Sequence, residues 1–203
     1  MKNKYSSIAV LELKSVARGI FTSDAMLKHS PVSMVKAGSV HNGKYLILIG
    51  GSVASVEEAY RNGITAGGEL ISDSLFLPDV HSSVFKALFG NREKCSGESI
   101  ATIETLSVPS VIKAADSGIK GTDVSIVEIR MADDLGGKGL VIFTGKLEEI
   151  EAAVKISSNV LAEKNTIFET SIIPRPVKEI SGQISLSSIF NSSDTISIEG
   201  GEG

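Results

Sequence analysis

Hydrophobic positions along this chain switch between a strand-like and a helix-like period, and the whole succession occurs twice. Ile8 to Leu13 is a short apolar run interrupted only by Glu12, the pattern of a buried strand. Val16, Ile20, Ala25 and Leu27 then follow at helical spacing as far as His29, and Pro31 ends the helix. Two more strands are predicted over 32–40 and 44–49. They are joined by His41-Asn42-Gly43, a turn whose Asn and Gly tolerate positive φ. Ser52 is placed to cap a second helix that runs towards Gly67-Gly68. A fourth strand over 71–77 and a short closing helix over 82–89 complete the unit.

The second half predicts the same elements in the same order: strand 100–105, helix 108–120, strands 124–131 and 139–144, helix 147–162 and strand 166–173. The match extends to residue identities. At a constant offset of 92, residues 7–40 and 99–132 agree at 12 of 34 positions, among them Ser7, Ile8, Ala9, Glu12, Ser15, Asp24 and Lys28. After a two-residue slip, Gly43-Lys44 meets Gly137-Lys138 and Glu57 meets Glu151. A period this long marks a duplicated domain rather than a solenoid of short repeats.

Strand–helix–strand–strand–helix–strand is the split βαβ order, so each half is read as an α+β, ferredoxin-like domain: an antiparallel four-stranded sheet with helices on one face. The boundaries fall at 7–89 for the first domain and 99–180 for the second, with a polar linker over 90–98. The Ser- and Gly-rich remainder, 181–203, is expected to be a disordered tail. Small residues on the first-domain helices (Ala17, Ala25, Ala59, Gly63, Ala66 and Gly67) suit close packing, either inside the domain or across a subunit contact.

Composition narrows the function classes. The chain has 203 residues, a net charge of −4 and no tryptophan, so no basic footprint points to nucleic acid. One cysteine, Cys95, excludes an intrachain disulfide framework and suits a reducing compartment, with an accessible linker thiol as its simplest reading. No segment approaches the roughly 20 apolar residues of a membrane span. The opening residues lack a signal peptide's apolar stretch, and the expectation is a soluble, cytoplasmic protein.

The order of motifs in both halves resembles the bacterial microcompartment shell domain. In the first half the resemblance rests on Ile8-Ala9-Val10-Leu11-Glu12-Leu13, Asp24-Ala25-Met26-Leu27-Lys28 and Gly43-Lys44-Tyr45-Leu46 leading into Gly51. In the second it rests on Ile100-Ala101-Thr102-Ile103-Glu104, Ala115-Asp116, Lys120, Gly137-Lys138 and Ile173-Pro174-Arg175-Pro176. Two copies in the ordinary strand order are most similar to the tandem-domain shell proteins of the single-layer type found in propanediol-utilisation compartments.

The resemblance implies a homotrimer whose six domains form a pseudohexagonal tile of a protein shell. The partners it implies are other shell proteins, encapsulated enzymes and small polar metabolites, without a membrane. Lys28, Lys120 and Arg175 match tile-edge positions; the first copy has Pro78-Asp79-Val80-His81 where the second has its Pro174-Arg175-Pro176 segment. The turns between the second and third strands would surround a central pore, lined by Ser39, Val40, His41, Asn42 and Gly43 from one half. The other half would contribute Asp133, Asp134, Leu135 and Gly136.

Propanediol-type relatives carry a cysteine where this chain has His41, and that cysteine is associated with an iron–sulfur cluster. Thiolates are the usual ligands of such clusters, so the cluster is not carried over. No cofactor is expected. Three His41 imidazoles converging on the axis would be the one candidate metal site, for a divalent ion such as zinc. Asp133 and Asp134 would favour a charged imidazole there, and neighbouring imidazolium ions would oppose it.

Elsewhere the residues do not assemble chemistry. His29 suits the carbonyl end of the first helix, and His81 begins the closing helix. Gly50-Gly51-Ser52 and Gly136-Gly137-Lys138 are too short for nucleotide-binding loops. Glu12 and Glu104 recur at equivalent strand ends, which duplication explains without an acid–base role. The expectation is a non-enzymatic shell tile. The alternatives are a metal-binding electron-transfer component of the same shell and a ferredoxin-like enzyme or sensor.

Overall fold

The computed structural model describes residues 6–193 and Thr195. The first half contains β1 (Ser7–Leu13), α1 (Val16–His29), β2 (Met34–Val40), β3 (Lys44–Gly51), α2 (Val53–Gly67), β4 (Ile71–Leu77) and α3 (Ser82–Leu88). The second contains β5 (Ser99–Thr105), α4 (Val108–Gly121), β6 (Ser125–Met131), β7 (Gly139–Gly145), α5 (Leu147–Glu163), β8 (Phe168–Pro174) and α6 (Lys178–Leu186). The sheets have the orders β2-β3-β1-β4 and β6-β7-β5-β8, and all neighbours are antiparallel. This is the split βαβ topology, present twice.

Each sheet has two different tasks. On the inner face of the first sheet, Ala9, Leu11 and Leu13 pack with Met26, Val56 and Ala59 beneath α1 and α2. Contact there is close: a Cβ on Gly63 would lie 2.8 Å from Met26 Sδ and 2.9 Å from Leu11 Cδ2. Gly63 and the buried Ala59 therefore serve packing inside the domain.

The outer face of the same sheet (Ile8, Val10, Leu48, Leu75 and Leu77) belongs to one cluster with Val108, Ile112 and Ala115 of α4. So α4 lies between the two sheets, and β1 is buried along its whole length. The closing helix α3 reaches across to β6 in the same way. Burial of apolar area at this joint, at about 25 cal/mol per Å², makes the two repeats one folding body.

The expectation of disorder over 181–193 is corrected. The linker and the first part of the expected tail are structured and cover the outer face of the second sheet. Cys95 and Ile184 pack against Ile100, Val127 and Ile142. Arg92 pairs with Glu128 and donates to the Ile184 carbonyl, while the Cys95 amide donates to Ser185 Oγ at 3.0 Å. Arg130 Nη1 donates to the Ser188 carbonyl at 3.3 Å. Serine-rich composition conceals the cause, which is that Ile184 covers apolar positions the second sheet would otherwise expose. Cys95 is accordingly a half-buried packing residue rather than an accessible thiol. Residues 194 and 196–203 of the expected tail lie outside the described residues.

Candidate functional site

The loops between β2 and β3 and between β6 and β7 lie side by side. The first is a single tight turn, His41–Gly43, in which Asn42 (φ 66°) and Gly43 (φ 66°) adopt the left-handed conformation. Asn tolerates that region because its short side chain bonds locally, and Gly because it has no Cβ. The second loop, residues 132–138, is four residues longer and takes left-handed conformations at Ala132, Asp134, Gly136 and Gly137. Amide hydrogen bonds from Leu135 and Gly137 to the Ala132 carbonyl, at 3.2 and 3.0 Å, close it.

His41 ties the two loops together. Its backbone amide donates to Asp133 Oδ1 at 3.2 Å, and its ring Nδ1 lies 3.0 Å from the same oxygen. The Asp134 amide also approaches Nδ1, at 3.3 Å. One nitrogen cannot donate to the carboxylate and accept from the amide at once, so the tautomer decides which bond forms. A protonated ring, or the neutral Nδ1–H tautomer, bonds Asp133. The other tautomer accepts from Asp134. Both side chains are more than half exposed, and Ser39, Asn42, Gly43, Asp134 and Gly136 are exposed beside them. Val40 and Leu135 are half-buried.

Beneath the loops lies a set of buried charges at the domain joint. Glu12 is fully buried; its Oε1 receives Lys44 Nζ at 2.8 Å, and its Oε2 accepts from the Val108 amide at 2.8 Å. That amide belongs to the first turn of α4, where free N–H groups and the helix dipole favour an anion. Lys44 Nζ also donates to the carbonyls of Leu106 and Gly137, both at 3.0 Å. Asp73, opposite Glu12 in the β1–β4 register, accepts from Ser107 and Ser110 of α4 and pairs with Lys164. Burial pushes the Asp73 carboxyl up, but bonds from Lys164, Ser107 and Ser110 and the Lys164 charge outweigh it and hold it below its ordinary value.

These groups line a polar cleft, but Glu12, Lys44 and Asp73 are bonded to one another's neighbours across the joint. The cleft is a structural seam. Sequence reasoning passed over it, although the paired recurrence of Glu12 with Lys44 and Glu104 with Lys138 carried the signal.

The remaining candidates are dispersed. Lys28 is exposed and pairs with Asp24 at 2.6 Å one helical turn away. Lys120 pairs with the buried Asp116 at 2.7 Å and donates to the Asp79 carbonyl, so it spans the domain joint as well as lying at the surface. Arg175 is exposed with φ 51°, its amide donating to the Glu98 carbonyl at 2.8 Å. His29 Nδ1 bonds the Ala25 carbonyl at 2.9 Å at the end of α1. His81 caps α3, its ring accepting from the Ser83 amide at 3.2 Å. Among the described residues, no three His, Cys, Asp or Glu of one chain gather to hold a metal, and no helix is long and apolar enough to cross a membrane.

Two domains of one shell-forming fold, joined through a shared core and presenting paired loops, define the class, and comparison with known proteins agrees. The BMC domain family matches residues 7–80 and again residues 99–176. This chain belongs to the bacterial microcompartment shell proteins, in their tandem-domain form. It is 35 % identical to the shell protein PduT of Citrobacter freundii over 170 residues, covering 84 % of this chain and 92 % of that one. It is 24 % identical to the carboxysome assembly protein CcmO of Synechocystis, over 86 % of this chain and 63 % of that one. A crystal structure of a microcompartment protein from Desulfitobacterium hafniense superposes with a TM-score of 0.76 at 34 % identity, covering 88 % of this chain and 99 % of that one.

Proposed function

We propose that three copies of this chain form a pseudohexameric tile around a central opening, and that small polar metabolites pass through it into a microcompartment in the bacterial cytoplasm. The tile would be non-enzymatic, meeting other shell proteins at its edges through Lys28, Lys120 and Arg175 and facing encapsulated enzymes on one side. The observation that carries the reading is the pairing of the two loops by His41 and Asp133. Both repeats thereby present their β-hairpin turns at one place, as a ring of six turns around an axis requires.

The opening would be lined by Ser39 to Gly43 and by Asp133 to Gly136. Backbone amides, imidazole and carboxylates select solutes by hydrogen bonding, charge and size. Protonation of His41 would add a positive charge and lock Nδ1–H onto Asp133, so the selectivity of the opening is expected to change with pH. The test is solute flux across assembled shells with the native chain and with His41→Ala. The pH response should vanish in the variant; an unchanged response removes His41 from the pathway.

One observation favours a second reading. When Asp133 holds Nδ1–H, Nε2 keeps its lone pair and is free to ligate, the carboxylate–histidine arrangement common behind metal ligands. Three such nitrogens meeting on the axis would suit zinc. Metal analysis of the anaerobically purified trimer decides it: about one metal per three chains, lost in His41→Ala, supports the site, and a metal-free trimer rejects it.

A further inference from the structure

The joint between the two domains of one chain is a template for the joint between chains. Each surface that the first domain leaves open has a buried counterpart in the second. On α1, Ile20 is 58 % exposed, whereas its equivalent on α4, Ile112, is fully buried against the first sheet. Asp24 is exposed on α1, whereas Asp116 is buried on α4 and receives the His81 amide at 2.8 Å. The strand β2 carries an exposed Val35 and Lys36, whereas β6 is covered by α3.

The reverse holds at the other end of the molecule. On β4, Leu75 and Leu77 are buried under α4, whereas their register equivalents on β8, Ser171 and Ile173, are exposed. The two open surfaces are therefore the unpaired halves of a joint the chain already makes once internally. Such a head-to-tail contact is heterologous, and it forms a closed ring when its rotation divides a full turn.

We infer that the outer face of β8 in one copy receives α1 of a second copy, and that Glu169 forms an ion pair there with Arg18. This rests on the trimer proposed above and specifies its contact. The register supplies the residues: Glu169 stands opposite Glu104 as Asp73 stands opposite Glu12. Ser15 and Arg18 occupy the positions of Ser107 and Ser110, the two α4 serines that bond Asp73.

The chemistry changes consistently between the two joints. Within the chain the cation facing Asp73 is Lys164, from the loop after α5. The loop after α2 is Gly68-Glu69-Leu70 and holds no cation. Arg18 restores the positive charge from the helix itself; its exposed guanidinium donates to the Ala66 carbonyl at 3.3 Å and lies over the Phe21 ring. A guanidinium facing a longer carboxylate replaces a hydroxyl facing a shorter one. Glu169 has the reach and Arg18 the charge.

The experiment is a charge reversal in the full chain, read by sedimentation velocity across a range of concentrations. Arg18→Glu alone and Glu169→Arg alone each place like charges together, and each is expected to weaken assembly by well over tenfold in dissociation constant. The double variant Arg18→Glu with Glu169→Arg is expected to recover most of it. Circular dichroism of each variant shows whether the monomer remains folded, since both sites are on the surface. Single variants that assemble like the native trimer, or a folded double variant that stays dissociated, overturn the pairing and leave the trimer standing. A native chain that remains monomeric at all concentrations overturns the trimer itself and the pairing with it.

Discussion

Glu12–Lys44 and Glu104–Lys138 are the same pair on equivalent strands, yet they live in different surroundings. The first acid is fully buried, and its lysine is 15 % exposed; in the second pair the acid is 37 % and the lysine 44 % exposed. Strand geometry does not cause the difference, because both acids are opposite a Leu on one side and an acid on the other. What differs is the helix outside the sheet. The N-terminus of α4 seals the first pair with the Val108 amide, and among the described residues no element of the same chain performs this for the second. A duplicated sequence thus yields one closed seam and one open one, and the open one is where assembly is expected.

The largest effect that can break this comparison comes from removing the acids. Glu12→Ala leaves Lys44 buried without its partner and the first turn of α4 without its anion, and is expected to cost about 3–5 kcal/mol of chain stability. Glu104→Ala in dilute, dissociated protein is expected to cost less than about 1 kcal/mol, as for a solvent-screened pair. Urea denaturation of both variants measures the contrast. Equal losses would show that the α4 seal does not distinguish the two sites.

A smaller effect concerns pH. The carboxyl of Asp73 is held below its ordinary value of 3.8 by Lys164, Ser107 and Ser110 against the opposing push of burial. A carboxyl whose folded pKa is depressed adds stability that is complete above its unfolded value and disappears as the pH falls through the folded one. The melting temperature of the native chain should therefore exceed that of Asp73→Asn by a constant margin at neutral pH. That margin should start to close below about pH 4 and vanish at stronger acid. A margin that persists to the lowest pH would mean that Asp73 acts through shape rather than charge.

These contrasts also show why part of the molecule was legible in the sequence and part was not. The element order could be read because the periods of Ile8–Leu13 and Val16–His29 are strong and were met twice. The turn at Asn42-Gly43 was equally clear, since few residue pairs adopt that backbone. The seam was not legible, because Glu12 and Glu104 look identical until the neighbouring domain covers one of them. Periodicity reports which face of an element is apolar, but not whether another domain will cover it. The segment 181–193 is hidden for a related reason: Ile184 is sparse among serines, and only the apolar positions Ile100, Val127 and Ile142 on the second sheet give it something to cover. The contact between His41 and Asp133 joins residues 92 apart in the chain, a separation at which no local pattern operates.

The smallest expected effect concerns Lys28 and Lys120, the two lysines proposed for the tile edge, which occupy equivalent positions at the ends of α1 and α4. Lys28 and Asp24 form an exposed pair, 67 % and 57 % accessible, so Lys28→Ala is expected to change stability by no more than about 0.5 kcal/mol. Lys120 differs because Asp116 is 3 % accessible and the lysine also reaches the Asp79 carbonyl of the other domain. Removing it leaves a buried carboxylate with the His81 amide as its remaining donor among the described residues, and a loss of about 1–3 kcal/mol is expected. If both lysines serve only as tile-edge contacts, the two variants should melt alike and differ from the native chain only in sheet formation under the electron microscope. If the joint claims Lys120 as well, its variant should melt lower and form sheets poorly, whereas Lys28→Ala should lose sheets with no change in melting. The separation of those two readouts divides edge contact from domain joint at a single pair of equivalent residues.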